Sequence, residues 1–212
     1  LSKMRLVSYI EQVRVNGTPS MDVKHVKGIL PIKFVKTGFF QSESFFNDER
    51  IDFEIKPTYK EKARLILDSL PINTTKIFVH VRRGDYVSES YLGIRGFNLP
   101  KEYYFNAISL LNDKAESPYF VFLTDDPEYV ECCFQHIQNK YISDGSLIVD
   151  LALMSLCEYG VTSNSSFSWW GAYLMGTKKA VFPKYWYGWK HRVESHSGIQ
   201  PRWGILMDVP FT

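Results

Sequence analysis

Short apolar runs alternate with stretches of helical spacing from about residue 61 onward, and this alternation limits the possible folds more than any other feature. The four runs consist mainly of aliphatic and aromatic residues and lie at residues 77–81, 119–123, 160–162 and 180–182. Strands that are apolar along their whole length are buried on both faces, as in parallel sheets covered by helices. The pattern therefore predicts an α/β fold with a mainly parallel sheet.

Five further stretches have the apolar spacing of amphipathic helices. Pro71 stops the first of them, and Pro100 precedes the second, a position that suits the start of a helix. The predicted helices cover residues 61–70, 101–111, 128–138, 146–157 and 167–175. Residues 1–60 are less regular and carry turn signals at Asn16-Gly17 and Thr37-Gly38, so we interpret them as an incomplete second lobe.

Composition excludes several classes of protein. The 212 residues, of which 45% are hydrophobic and 23% charged, are enough to bury a sizeable core, which excludes a disordered chain. A formal net charge of +2 is too small for nucleic-acid binding by bulk charge. No apolar run reaches the roughly 18–20 residues of a membrane span. The chain begins with Leu1 and carries no apolar signal segment, so we expect a fragment whose targeting segment, if any, lies upstream.

The three cysteines do not form a disulfide framework. Their number is odd, Cys132 and Cys133 are adjacent, and the CxxC spacing of a zinc site is missing. This favours free thiols, while a single bridge from Cys157 to one of the adjacent pair stays open.

Polar residues follow three of the predicted strands at their carboxyl ends. These clusters are residues 82–85, 124–126 and 163–166. In parallel sheets, ligands bind in the crevice beyond the carboxyl ends of the strands. We therefore expect the three clusters to converge on one crevice.

Two charged side chains near this crevice suit ligand binding, and each has a structural alternative. Alternation along a strand points His80 and Arg82 to the same side. A guanidinium at a strand end binds the oxygens of phosphate or carboxylate, and the alternative is an ion pair with a nearby aspartate. Asp150 lies in an apolar stretch where a lone carboxylate is costly to bury, so it either braces the fold or accepts hydrogen bonds from a base such as guanine.

The other polar and aromatic clusters also have two interpretations. The small hydroxyl residues at 163–166 either cap a helix or help its N–H groups to bind an anion. Turn chemistry alone selects adjacent residues such as Asp125 and Asp126, and this favours a turn over a metal site. The aromatic residues at 185–187 and Trp189 are interpreted as hydrophobic cover for the last strand rather than as a sugar-stacking face.

Several motifs, taken in order, resemble those of a known family. Residues 78–86, FVHVRRGDY, are similar to the His-x-Arg-Arg-x-Asp signature of fucosyltransferases. Residues 150–174, DLALMSLCEYGVTSNSSFSWWGAYL, resemble the long C-terminal motif of the family 11 glycosyltransferases, the α1,2-fucosyltransferases. Residues 124–127 correspond to the middle motif, and residues 200–203 resemble the closing Pro-x-Trp segment.

The resemblance implies a GT-B-like glycosyltransferase fold and a specific reaction. Residues 76–212 would form the Rossmann-like lobe that binds GDP-fucose, and residues 1–75 a partial acceptor-side lobe. Fucose would pass with inversion to the 2-hydroxyl of a terminal β-galactoside in a glycan acceptor, without a metal or another cofactor. One departure is that residues 1–76 lack the Gly-Leu-Gly-Asn-Gln-like segment typical of the family.

The resemblance also implies roles for single residues. Arg82 would clamp the β-phosphate, Asp150 would bind the guanine edge, and Asp126 would brace the pocket or the sugar. The remaining donor contacts would come from His80, Ser165, Ser166 and Phe167. Related α1,6-enzymes carry a glutamate ten residues after the motif histidine, a place that Ser90 takes here, so the catalytic base would be the neighbouring Glu89 or Asp85.

Two alternatives to this enzyme stay open at the level of sequence. One is a non-catalytic module that binds a GDP-sugar or a glycan and lacks the front lobe. The other is a fucosyltransferase of another linkage, which the NSSFSWW form of the long motif disfavours. An animal member would act on the lumenal side of the Golgi membrane, held by a segment outside this chain, and a bacterial member in the cytoplasm.

Overall fold

The computed structural model describes residues 6–15, 18–35, 53–144, 146–194 and 198–211. Near the N-terminus, β1 (Ser8–Val15) pairs with β2 (Thr18–Val26) antiparallel and with β3 (Lys33–Val35) parallel. The sequence did not predict this three-stranded sheet, because its strands mix polar and apolar residues instead of forming apolar runs. Both turn signals of this region include residues outside the described ranges.

The rest of the described chain alternates helices and strands. In chain order these are α1 (Pro57–Ser69), β4 (Thr75–Val81), β5 (Ser90–Tyr91), β6 (Ile94–Arg95), α2 (Lys101–Asn112), β7 (Pro118–Thr124), α3 (Pro127–Cys133), β8 (Lys140–Ile142), α4 (Leu147–Leu156), β9 (Tyr159–Val161), α5 (Ser166–Leu174), β10 (Ala180–Pro183) and β11 (Ile205–Met207). Short 3₁₀ helices lie at Gly84–Val87 and Trp186–His191.

Six of these strands form one parallel sheet in the order β11-β10-β9-β4-β7-β8. Counted from β4 along the chain, this is the order 3-2-1-4-5-6 of a Rossmann-type sheet. The strand order reverses between β4 and β9, which are neighbours in the sheet. The expected α/β fold with a Rossmann-like lobe is confirmed.

Alternate residues of β4 show how the sheet is buried on both faces. Ile77 and Val79 belong to the apolar cluster that contains α2 and α3, whereas Phe78 belongs to the cluster that contains α1, α4 and α5. The parallel strand β7 divides in the same way, since Phe122 lies in the first cluster and Leu123 in the second. A fully apolar strand is the expected consequence of burial between two helical layers.

Helix α1 packs in the same apolar cluster as α4 and α5. In the division that the resemblance implies, this helix lies in the first region, residues 1–75. The division at that position stays a prediction.

One predicted helix was wrong in its extent. The spacing of Val130, Phe134 and Ile137 is helical, but α3 ends at Cys133 and the chain then turns into β8. Phe134 still reaches the core, where its ring lies 4.9 Å from that of Phe122. The sequence also did not predict β8, β11 or the β5–β6 hairpin, because each is too short to give a period.

Other expectations concern the cysteines and the aromatic residues. All three cysteines are free thiols, with Cys157 buried and Cys132 exposed. Trp186 and Trp189 are buried in the apolar clusters that contain Phe182 and Val181 of β10, which confirms for these two residues the expected cover of the last strand. Within the described residues, no helix is both long and apolar enough to cross a membrane.

Candidate nucleotide-binding site

A cavity of about 500 Å³ lies at the carboxyl ends of the central strands. All three polar clusters contribute to it, so the predicted convergence is confirmed. Its walls are formed by His80, Arg82, Asp85, Tyr86, Thr124, Asp125, Pro127, Leu147, Asp150, Ser165, Ser166 and Phe167. Seven of the nine site residues expected from the sequence are in this set, whereas Glu89 and Asp126 are not.

The cavity adjoins the point where the strand order reverses. After β4 the chain leads to α2, which covers one face of the sheet, and after β9 it leads to α5, which covers the other. Connections that leave to opposite faces open a crevice between them. His80 and Ser163 join the two strand ends, with 2.8 Å between Nδ1 and Oγ.

Arg82 is held by two carboxylates at this crevice. Its Nη1 lies 2.7 Å from Oδ2 of Asp125, and its Nη2 lies 2.7 Å from Oδ1 of Asp85. The guanidinium carbon also lies 5.3 Å from the centre of the Tyr86 ring. The structural alternative for Arg82, an ion pair with aspartate, is therefore present, and the same guanidinium lines the cavity.

Arg83 and Asp126 form a separate pair beside the cavity. Nε of Arg83 donates to Oδ2 of Asp126 at 2.8 Å, and its guanidinium stacks 3.6 Å above the Tyr129 ring. Asp126 also caps α3 by accepting from the Tyr129 N–H, and the hydrogen bond from Arg83 lowers the pKa of this carboxyl. Asp126 thus braces the start of α3, while its predicted contact with the sugar stays a prediction.

Helix α5 begins at the cavity wall. Ser165 is its N-cap, and the Ser165 hydroxyl accepts from the N–H of Phe167 at 3.3 Å. Ser166 and Phe167, the first residues of the helix, line the cavity directly. The capping interpretation of this junction is confirmed. Anion binding stays a prediction, which the cap does not oppose because a capped N-terminus still presents the positive end of the helix dipole to the cavity.

Asp150 lies in α4 and also lines the cavity. It is only 3% exposed, and its carboxylate accepts a hydrogen bond from the Ser143 hydroxyl. Burial raises the pKa of Asp150 to about 6, and the hydrogen bond from Ser143 opposes that rise. The carboxylate is therefore mainly ionised at neutral pH, and it can accept further hydrogen bonds from the cavity side.

His80 is neutral at physiological pH. Burial, with a smaller contribution from the Arg82 charge, lowers its pKa to about 3. A neutral imidazole has one donor and one acceptor nitrogen, and Nδ1 is already engaged with Ser163. His80 can offer its other nitrogen to a ligand without adding charge to the site.

Asp125 and Tyr86 line the cavity but are not among the nine site residues expected from the sequence. The register of the sheet could have found Asp125, since Val81 of β4 pairs with Thr124 of β7. One residue after this pair, Arg82 forms an ion pair with Asp125, and one residue later Arg83 forms an ion pair with Asp126. The two aspartates thus serve two different arginines, and no group of three or more metal-ligating side chains occurs in the part of the chain that the structure describes.

The sheet order and the polar crevice at its switch point define a Rossmann-like α/β domain with a candidate ligand site. Residues 10–205 match the model of glycosyl transferase family 11. The chain therefore belongs to this glycosyltransferase family.

Individual relatives agree with the family match. The chain is 32% identical to an alpha-1,2-colitosyltransferase of Escherichia coli over 169 residues, which are 71% of this chain and 54% of that protein. It is 29% identical to the galactoside 2-alpha-L-fucosyltransferase SEC1 of Bos taurus, over 69% of this chain and 44% of that protein. The chain thus spans about half the length of these relatives.

The structure is also similar to a solved enzyme, the ADP-heptose lps heptosyltransferase II of E. coli. The match covers 74% of this chain and 44% of that chain, with a TM-score of 0.46 and 10% sequence identity.

Proposed function

We propose that the chain is the donor-binding part of a transferase that moves fucose from GDP-fucose to the 2-hydroxyl of a terminal β-galactoside, with inversion and without a metal. The observation that carries the proposal is the cavity itself. Arg82 and the N-terminus of α5 line it together with the buried acceptor Asp150. This combination of a cationic group, N–H donors and a hydrogen-bond acceptor suits a nucleoside diphosphate.

The diphosphate binds Arg82 and the start of α5. A guanidinium and a helix N-terminus both favour anions, and their effects add in a partly buried crevice. Negative charge grows on the β-phosphate as GDP leaves, so a fixed cation at this place stabilises the transition state. Arg82 then supplies the charge that a divalent metal supplies in other transferases.

Asp150 recognises the guanine base. Guanine presents two adjacent N–H donors on its Watson–Crick edge, and an ionised carboxylate accepts both of them. Uracil has no comparable pair of donors, so this contact selects GDP over UDP. Leu147, one turn before Asp150, provides an apolar wall for the base.

The catalytic base is Asp85 or Glu89, as the resemblance implies. Asp85 lines the cavity and Glu89 is exposed outside its lining, which favours Asp85 on position. The base must also face the acceptor hydroxyl on the side opposite the leaving phosphate.

A second candidate donor is a GDP-linked colitose. The 32% identical relative is an alpha-1,2-colitosyltransferase, whereas the mammalian relatives carry fucosyltransferase names. The relatives include bacterial and animal proteins. The proposed place of action is therefore still the Golgi lumen for an animal protein and the cytoplasm for a bacterial one.

Calorimetric titration of the 212-residue chain with GDP and with UDP tests the donor site. Selective GDP binding supports the proposal, whereas a folded chain that binds neither nucleotide, or both equally, contradicts it. Transfer from GDP-fucose to a β-galactoside is then assayed with and without EDTA. Activity that EDTA abolishes and Mn²⁺ restores would contradict the metal-free mechanism.

A further inference from the structure

The two carboxylates that hold Arg82 are anchored differently. Asp125 follows β7, and its second oxygen accepts the backbone N–H of Arg83 at 2.8 Å. Asp85 lies in the 3₁₀ helix after β4, and among the described residues its carboxylate has Arg82 as its partner. The side chain of Asp85 is 47% exposed and that of Asp125 only 26%. Asp125 is therefore the fixed partner and Asp85 the displaceable one.

Gly84 makes the fixed contact possible. Its φ of +22° favours glycine, and a Cβ at this position would lie only 2.6 Å from Oδ2 of Asp125, the atom that binds Arg82. Any side chain here would push the carboxylate away from the guanidinium. The glycine of the HVRRGD segment thus protects the Arg82–Asp125 pair.

The charge of this group conflicts with phosphate binding. One guanidinium and two carboxylates carry a net charge of −1, and a nucleoside diphosphate is itself an anion. Like charges at close range in a partly buried crevice repel strongly. The phosphate gains most from Arg82 when one of the two carboxylates moves away.

We propose that Asp125 positions Arg82 for the donor phosphate, and that Asp85 gives up its place on the guanidinium to that phosphate when the donor binds. The inference rests on the proposed function, because it takes Arg82 as the phosphate ligand. The exchange also moves the Asp85 carboxylate off Arg82, so that a candidate base becomes available only when the donor is present.

Opposite effects of two isosteric substitutions test the exchange. Asp85→Asn removes the competing anion, and we expect GDP to bind roughly two- to fivefold more tightly, the size of a half-exposed ion pair. Asp125→Asn loosens the guanidinium, and we expect GDP to bind about tenfold more weakly, as when the partner that orients a binding group is lost. GMP, which has no β-phosphate, should respond to both substitutions much less than GDP.

The same substitutions in an Arg82→Ala background separate positioning from general structural damage. If Asp125 acts through Arg82, Asp125→Asn changes GDP affinity by less than about twofold in that background. An equal loss in both backgrounds would show that Asp125 acts otherwise. If Asp125→Asn does not fold, as circular dichroism would show, Asp125→Glu replaces it, with the same expected dependence on Arg82.

The exposed Asp68 of α1 is the matched control, since Asp68→Asn leaves the cavity lining unchanged. Weaker GDP binding by Asp85→Asn would overturn the exchange and leave the donor site intact. A parent chain that binds no GDP would overturn the proposed function and the exchange together.

Discussion

The two ends of the cavity are built in different ways. One end, which we propose to bind the diphosphate and call the phosphate end, consists of strand termini, where the register of β4 and β7 places arginines opposite aspartates. The other, which we propose to bind the base and call the base end, consists of the helix α4, in which Asp150 lies among apolar residues with Ser143 as a hydrogen-bond partner. At the first end, ion pairs hold the charged side chains in place. At the second end, burial changes the pKa of a single carboxylate.

Burial also shifts the pKa values of the titratable groups at the two ends in opposite directions. It favours the neutral form in each case, so the pKa of His80 falls to about 3 and that of Asp150 rises to about 6. At neutral pH the phosphate end therefore has an uncharged imidazole beside its arginine. The base end has a carboxylate that is mainly ionised, with a pKa about one unit below neutral pH. The same physical effect, burial, thus leaves one of these cavity groups neutral and the other mainly ionised at neutral pH.

Loss of the cation would have the largest effect. Arg82→Ala removes a charge-assisted phosphate contact, and we expect GDP affinity to fall by about 2–4 kcal/mol, roughly 30- to 1,000-fold. Calorimetry measures the loss, with circular dichroism to verify folding. Arg64→Ala, which removes an exposed arginine of α1 paired with Glu61, is the matched control. Equal GDP affinity of Arg82→Ala and the parent chain would refute the phosphate role.

The next largest effect concerns how acidification changes the free energy of unfolding through the titratable group at each end. Between about pH 6.5 and 4.5 the unfolded His80 takes up a proton that the folded one does not, which lowers the free energy of unfolding by about 2 kcal/mol. Over the same range the folded Asp150 takes up a proton before the unfolded one, which raises the free energy of unfolding by about 2 kcal/mol. The two contributions nearly cancel in the parent chain.

Single substitutions should expose this balance. On acidification, His80→Gln gains stability relative to the parent, and Asp150→Asn loses it. Urea unfolding at the two pH values measures both changes. A shift of the two variants in the same direction would show that burial does not act oppositely on the two groups.

The strands of the fold differ in how far the sequence could predict them. The apolar runs predicted the buried strands β4 and β7 and the convergence of their polar ends, because a strand buried on both faces has few polar residues. The same rule did not predict the strands β1 and β2, because each of them mixes polar and apolar residues. Short edge strands such as β8 depend on pairing with a neighbour, which no local pattern shows.

Within the site, motif and polarity indicated Arg82 and Asp150, but not their partners. Asp125 becomes visible as the partner of Arg82 only when the register of two parallel strands is known. Ser143 precedes α4 in a loop, where a serine carries no signal of contact with a carboxylate. The partners of these two groups could therefore be predicted only with the fold, whereas their place at the cavity could be predicted from the sequence.

Asp150→Asn should change base selectivity more than phosphate binding. An asparagine replaces one carboxylate oxygen with a donor, so we expect GDP to lose about 1.5 kcal/mol, roughly tenfold in affinity, while UDP loses little. Inosine diphosphate, which lacks the exocyclic amine of guanine, should bind the parent less tightly than GDP and the variant about equally. Asp68→Asn, at an exposed position of α1 outside the cavity lining, serves as the control. Equal losses for GDP and UDP would remove Asp150 from base recognition.

The smallest expected effect concerns the hydroxyl that supports Asp150. The hydrogen bond from Ser143 lowers the pKa of Asp150, so Ser143→Ala should raise that pKa further above about 6. A hydrogen bond of this kind is worth about 0.5–1.5 kcal/mol, which corresponds to roughly 0.4–1 pH unit. The pH at which GDP affinity is halved on acidification should therefore rise by that amount. Ser146→Ala, at the start of α4 where the serine makes no side-chain cap, should leave it unchanged. An unchanged midpoint in Ser143→Ala would mean that burial alone sets the charge at the base end.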